Sequence, residues 1–328
     1  MNKRIVYIDT AKALAILLVI IGHCYWKGAI MYVDSLIYSF HLPLFFVISG
    51  MFVKDMGLFQ GVKKYAKAYL KPYFITCLLI AVMNIASAYS EKSDSFDAIS
   101  QLKTEIIRIL FASGWPHGDE LFAETPAIGC LWFLFALFWA CVIYSYLKKC
   151  FNSFERVIWV FALFALSYLS IQKVRLPFSF QAGCSAVLFL WAGDLIRSYS
   201  LIERMRNVNG FSLLLGVGIW MISIVFTGGI SVSVLDYGIG IVKLPVAIIA
   251  CCLVLHGLMR TNAKGGWIGR NTLYVLCGHK VTTTTLGTIG INMGVLPFLP
   301  FVNFFAEAII QIVIALFVGW LFVKIHLF

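Results

Sequence analysis

Three ionisable side chains near the start of the chain, Asp9, Lys12 and His23, have the types and the spacing to do chemistry. They lie in RIVYIDTAKALAILLVIIGH (Arg4 to His23), a basic, polar foot followed by an apolar run. Lys12 and His23 are eleven residues apart, which at 100° per residue leaves them about 20° from three whole turns. They therefore share one helix face, about 16 Å apart along the axis, with Asp9 within about 40° of the same stripe. Imidazole is the side chain best suited to moving a proton near neutral pH. The plain alternatives are a histidine satisfied by a backbone carbonyl and a lysine that snorkels to the headgroups beside Asp9.

His41 lies in a second apolar stretch, FHLPLFFVISG (Phe40 to Gly50). On a helix running back from Val33 it sits roughly 12 Å in, at a depth comparable to His23. Two imidazoles on sequential helices can line one cavity, and Pro43 frees a carbonyl, as in helices that border cavities at membrane depth. A buried structural histidine is the alternative. Beyond Gly50, Lys63, Lys64, Lys67 and Lys71 recur at helical spacings and form a basic face. That face suits anionic lipid headgroups or a polyanionic cytosolic ligand. Trp132 in CLWFL has an interfacial aromatic belt as its bland reading. His279 falls midway along a later span, and Lys243 and Glu307 are read as neutralising each other or local dipoles. The nine cysteines fall mostly inside apolar spans, among them Cys77, Cys141, Cys184, Cys251, Cys252 and Cys277. There they act as small hydrophobes, so neither a metal site nor a disulfide framework is expected.

The elements that position these groups follow from composition. The chain has 328 residues, of which 61% are hydrophobic and 12% charged, against about 25% charged in soluble domains. Apolar runs long enough to span a bilayer recur throughout. The pattern predicts an all-α polytopic membrane protein with ten spans. They cover about 11–25, 33–53, 73–89, 127–147, 154–171, 183–196, 211–227, 234–259, 271–291 and 301–323. A short amphipathic helix is expected near Leu102–Phe111, its apolar face formed by Leu102, Ile106, Ile109 and Leu110. With both termini in the cytoplasm, Lys and Arg sort inward. Only Lys27, Lys92, Lys103, Arg108, Lys173 and Arg175 fall outside, with an acidic loop carrying Glu91, Asp94, Asp97, Asp119, Glu120 and Glu124. The net charge of +11 thus reflects topology and not a nucleic-acid partner. Lys3 and Arg4 precede an apolar run with no small-x-small cleavage site, so the first span is expected to be retained. Tyr25 and Trp26 close it as an interfacial belt.

Several stretches together resemble the integral-membrane acyltransferase-3 family, in its fucose 4-O-acetylase-like branch. They are IDTAKALAILLVIIGH with Lys12-x10-His23, FHLPLFFVISG, the basic segment ending in KPY, LWFL around Trp132, and IGRNTLYVLCGH ending at His279. The resemblance covers nearly the whole chain. It implies transfer of an acyl group, usually acetyl, from cytosolic acyl-CoA to a hydroxyl of a cell-surface or lipid-linked sugar. It implies His23 as the essential base and Lys12, with Asp9 beside it, as its paired basic residue. Lys64, Lys67 and Lys71 would hold the CoA phosphates, and His41, Trp132 and His279 would shape the acceptor side. Lys64-x-x-Lys67 stands where the family carries Arg-x-x-Arg, and lysine lacks the planar fork that grips phosphate with two hydrogen bonds.

On this resemblance, residues 1–328 form a single membrane-embedded domain in a bacterial cytoplasmic membrane, without the extracytoplasmic domain that many relatives append. Acetyl-CoA is then a donor substrate and not a resident cofactor. The partners are acyl-CoA, a glycan acceptor and lipid, with homo-oligomerisation left open. Two rivals remain at this level. A transporter or flippase also fits many spans, intramembrane ionisable residues and proline-broken helices, as does a non-catalytic subunit of a polysaccharide-assembly complex.

Overall fold

The computed structural model describes residues 5–24, 31–90, 97–116, 125–238, 240–261, 263–288 and 300–328. The expected belt Tyr25–Trp26, the basic residues Lys3, Arg4, Lys27 and Lys92, and the acidic residues Glu91, Asp94, Asp119, Glu120 and Glu124 lie outside them.

Among the described residues the chain is helical. The first five helices are α1 (Val6–Gly22), α2 (Met31–Gly50), α3 (Leu58–Tyr65), α4 (Lys71–Ser90) and α5 (Ala98–Phe111). A π-helical segment, Ala66–Leu70, joins α3 to α4. There follow α6 (Trp132–Cys150), α7 (Ser153–Ile171), α8 (Phe180–Ser198), α9 (Leu201–Arg204) and α10 (Gly210–Thr227). The last are α11 (Gly240–Thr261), α12 (Gly266–Arg270), α13 (Thr272–Thr288) and α14 (Pro300–Lys324). Each of the ten expected apolar stretches forms a long helix. Among the described residues seven helical stretches are long and apolar enough to cross a membrane, or eight where the bent pair of α8 and the segment from Leu201 counts as one span. The helices α1 and α13 are shorter, at 17 residues each. Helices satisfy every backbone polar group internally, which is what a bilayer core demands.

Burial sorts the bundle. The apolar window of α6 is 83% buried, that of α10 only 11%, so α6 lies at the centre and α10 at the lipid-facing rim. Helices α2 and α8 meet backbone to backbone. A β-carbon at Gly193 would lie 2.0 Å from the Val47 carbonyl oxygen, and one at Gly50 would lie 2.0 Å from that of Leu190. Small residues permit this approach where no hydrophobic effect drives helices together. At one end of the bundle Asp194 of α8 accepts from Lys148 (2.8 Å) and from the Tyr144 hydroxyl (2.7 Å), both of α6. Arg156 of α7 lies 3.6 Å from the same carboxylate, so one acid pins three helices. Lys243 donates to the Gly229 carbonyl (2.9 Å) and Glu307 accepts from Gln311 (2.9 Å), each with its own partner.

One feature settles what the sequence left open, and one differs from its expectation. The helix α5 exposes Leu102, Ile106 and Leu110 and buries Glu105, which accepts from Asn84 and pairs with Arg108. An apolar face turned outward is what a lipid surround favours, the reverse of the rule in water. The helix α2 also runs unbroken through Pro43.

Candidate active site

A cavity of about 830 Å³ runs along α1, with Lys12, Ile16, Val19 and His23 facing into it. The sequence places these four at intervals of three and four residues, which is one helix face. The helix α2, antiparallel to α1, adds Tyr38, His41, Phe45 and Ser49. Lys64, Tyr65 and Tyr69 close the Lys12 end, while Trp115, Trp132, Ser231 and Ser233 border the His23 end. The cavity thus joins two chemically distinct mouths. One carries lysines and tyrosines, the other indoles and hydroxyls.

His23 is the residue just past α1, and its ring Nδ1 lies 2.6 Å from the Val19 carbonyl oxygen. A carbonyl can only accept, so Nδ1 carries the proton and Nε2 keeps the lone pair that can take one. His41 is tied in the same way, its Nδ1 donating to the Ile37 carbonyl at 2.6 Å. Tyr38 stands between the two. Its hydroxyl donates to the Gly22 carbonyl (3.0 Å), and its ring meets His41 edge-on at 5.0 Å. His279 of α13 packs edge-on against His23, ring centroids 5.4 Å apart. His279 is buried and is not a lining residue of the cavity; its Nδ1 has no hydrogen-bond partner among the described residues.

At the other mouth Lys12 lies 4.0 Å from Asp9, one turn earlier. Lys12 faces the cavity and Asp9 does not. The loop before α12 holds this foot in place. Thr10 donates to the Ala263 carbonyl (2.6 Å) and accepts from the Gly265 amide (2.9 Å). A β-carbon on Gly269 would fall 1.8 Å from the Asp9 carbonyl oxygen, so only glycine lets α12 press against α1.

Lys64 lies over the Tyr65 ring (4.9 Å) and borders the cavity. Lys67 and Lys71 are exposed and are not among its lining residues. The π segment Ala66–Leu70 contains Lys67 and directly precedes Lys71; one extra residue in that turn slips the register after it by about 100°, so Lys71 does not keep its α-helical spacing from Lys64. The same segment stacks Tyr69 parallel to Tyr65, centroids 6.1 Å apart. The Tyr65 hydroxyl is buried and has no hydrogen-bond partner among the described residues.

Trp132 is buried at the start of α6 and lines the cavity. Sequence reasoning missed Tyr38, Tyr65, Trp115 and the Ser231–Ser233 loop. Tyr38 alone left a signal, since it precedes His41 by three residues on one helix and shares its face.

The acyltransferase-domain family matches residues 5–324 of this chain. The nodulation protein NolL of Mesorhizobium japonicum is 29% identical over 243 residues, covering 66% of this chain and 57% of NolL. The chain thus spans little more than half the length of that relative. No solved structure matches it.

Proposed function

Because the chain belongs to the acyltransferase family matched across residues 5–324, we propose that this multi-pass protein is a membrane O-acetyltransferase. The donor is cytosolic acetyl-CoA and the acceptor a hydroxyl of a cell-surface or lipid-linked sugar. The observation that carries this reading is the single cavity with Lys12 and Lys64 at one mouth and His23 near the other.

In this reading the ten long helices all span the membrane, and the lysine mouth faces the cytoplasm. The CoA phosphates rest against Lys64 and Lys12, as anions beside unforked point charges. Lys67 and Lys71, exposed beyond the rim, contribute long-range attraction. The pantetheine arm then enters between α1 and α2, past Tyr65, and carries the thioester about 16 Å inward to His23. The sugar enters from the indole-lined mouth, where Trp132 offers a flat apolar face and His41 a second polar wall. His23 Nε2 takes the hydroxyl proton as the oxygen attacks the thioester carbonyl. His279 holds the His23 ring from behind. The cofactor never has to cross the membrane.

The test is acetyl transfer by the purified chain in liposomes, from labelled acetyl-CoA to glycan acceptors. Wild type is expected to transfer label, and His23→Ala to lose at least 100-fold in rate. Full transfer by His23→Ala overturns the mechanism. Glycan movement without any transfer overturns the enzyme in favour of a transporter.

A further inference from the structure

Lys280 sits midway along α13, one residue after His279, and the scheme above gives it no task. Five other cations in the bundle find partners. Lys12 has Asp9, Arg108 has Glu105, Lys148 and Arg156 share Asp194, and Lys243 has the Gly229 carbonyl. Among the described residues the Lys280 side chain has neither a hydrogen bond nor a carboxylate, and it is half-buried. An ionisable side chain held in a span without a partner is costly and calls for an anion that the fold itself does not supply.

Its position narrows which anion that is. The ammonium lies against Gly129, where an added β-carbon would come within 3.1 Å of Nζ. Gly129 has φ +71°, in the left-handed region open to glycine, and it lines the cavity with Cys130 and Trp132. A bare glycine therefore separates Nζ from the cavity. Its neighbour in the chain, His279, packs its ring against that of His23.

We propose that Lys280 supplies the positive charge that stabilises the oxyanion formed when the acceptor hydroxyl attacks the thioester. The inference rests on the acyl-transfer reading above. The hydroxyl oxygen bonds to the carbonyl carbon, its proton passes to His23, and the carbonyl π pair moves onto oxygen on the cavity side of Gly129, within reach of the Lys280 charge. When that pair re-forms the double bond, the carbon–sulfur bond breaks and the thiolate leaves with the proton from His23. A cation fixed before the reaction, in a site poor in water, is worth most where charge develops.

The experiment compares wild type with Lys280→Met, Lys280→Gln and Lys280→Arg in liposomes, varying acetyl-CoA and glycan separately. Melting temperature in detergent selects the neutral variant that keeps the wild-type fold. That variant is expected to lose about 100-fold in kcat with both KM values nearly unchanged. Lys280→Arg, which keeps the charge, is expected to recover most of the rate. Unchanged kcat in the neutral variant overturns the assignment, as does a rise in acceptor KM alone, which would make Lys280 a binding group for an anionic acceptor. If both neutral variants unfold while Lys280→Arg is inactive, Lys280 is structural and the proposal falls. A wild type that transfers no acyl group removes the functional reading as well, which separates the two failures.

Discussion

At the scale of single residues, the cavity is organised by side chains whose polar atoms are already committed and a few whose atoms are not. His23, His41 and Tyr38 spend one polar atom each on a backbone carbonyl, which fixes ring orientation and leaves the second ring nitrogen of each histidine for chemistry. Tyr65 is the contrasting case: its hydroxyl is buried beside the lysine mouth with no partner among the described residues. A buried donor left unmade costs about 1–3 kcal/mol, and an amide of the pantetheine arm would satisfy it. Tyr65→Phe, which keeps the ring under Lys64, is therefore expected to raise KM for acetyl-CoA about five- to tenfold with kcat nearly unchanged. Steady-state kinetics at saturating acceptor check this; a fall in kcat alone would place Tyr65 at the reacting atoms instead. Lys12 and His23 were readable from the sequence because both lie on one helix and its 3.6-residue period brings them together. Tyr65, Trp115 and Lys280 were not, because each matters through a facing wall that no local period encodes.

At the scale of elements, the site depends on backbones that touch. The helix α2 carries Tyr38 and His41, and its distance from the centre of the bundle is set where Gly50 and Gly193 press α2 against α8. Gly193→Val puts a branched side chain where even a β-carbon would sit 2.0 Å from the Val47 carbonyl oxygen, so the helices must part. The expected cost is at least about 2 kcal/mol of overpacking, seen as a lower melting temperature in detergent, with transfer lost because His41 moves away from α1. A variant as stable and active as wild type would show that α2 is free to slide. The long helices were legible from apolar length alone. The register beyond the π turn was not: the segment Ala66–Leu70 shifts Lys71 relative to Lys64, and lysine spacing does not reveal it. The apolar face of α5 was legible too, but not which way it turns, because the sequence shows a face and not what surrounds it.

For the whole molecule, the property on which the proposed function turns is sidedness: in that reading the lysine mouth meets cytosolic acyl-CoA while the indole mouth meets the glycan. The Lys and Arg distribution supports that orientation, and the fold provides a built-in reporter for it. Of the nine cysteines, seven are buried, Cys252 is half-buried within α11, and Cys150 is exposed. Cys150 ends α6 directly after Lys148 and Lys149, on the side that the charge rule assigns to the cytoplasm. Cys252 faces the interior of a span, where a charged reagent does not partition. A membrane-impermeant maleimide is thus expected to label inverted vesicles and to spare intact spheroplasts, and Cys150→Ser is expected to abolish the signal. Labelling of intact spheroplasts through Cys150 would reverse the orientation. Lys12 and Lys64 would then face away from the only compartment that supplies CoA, and the donor path along α1 would have to be abandoned while the cavity itself stood.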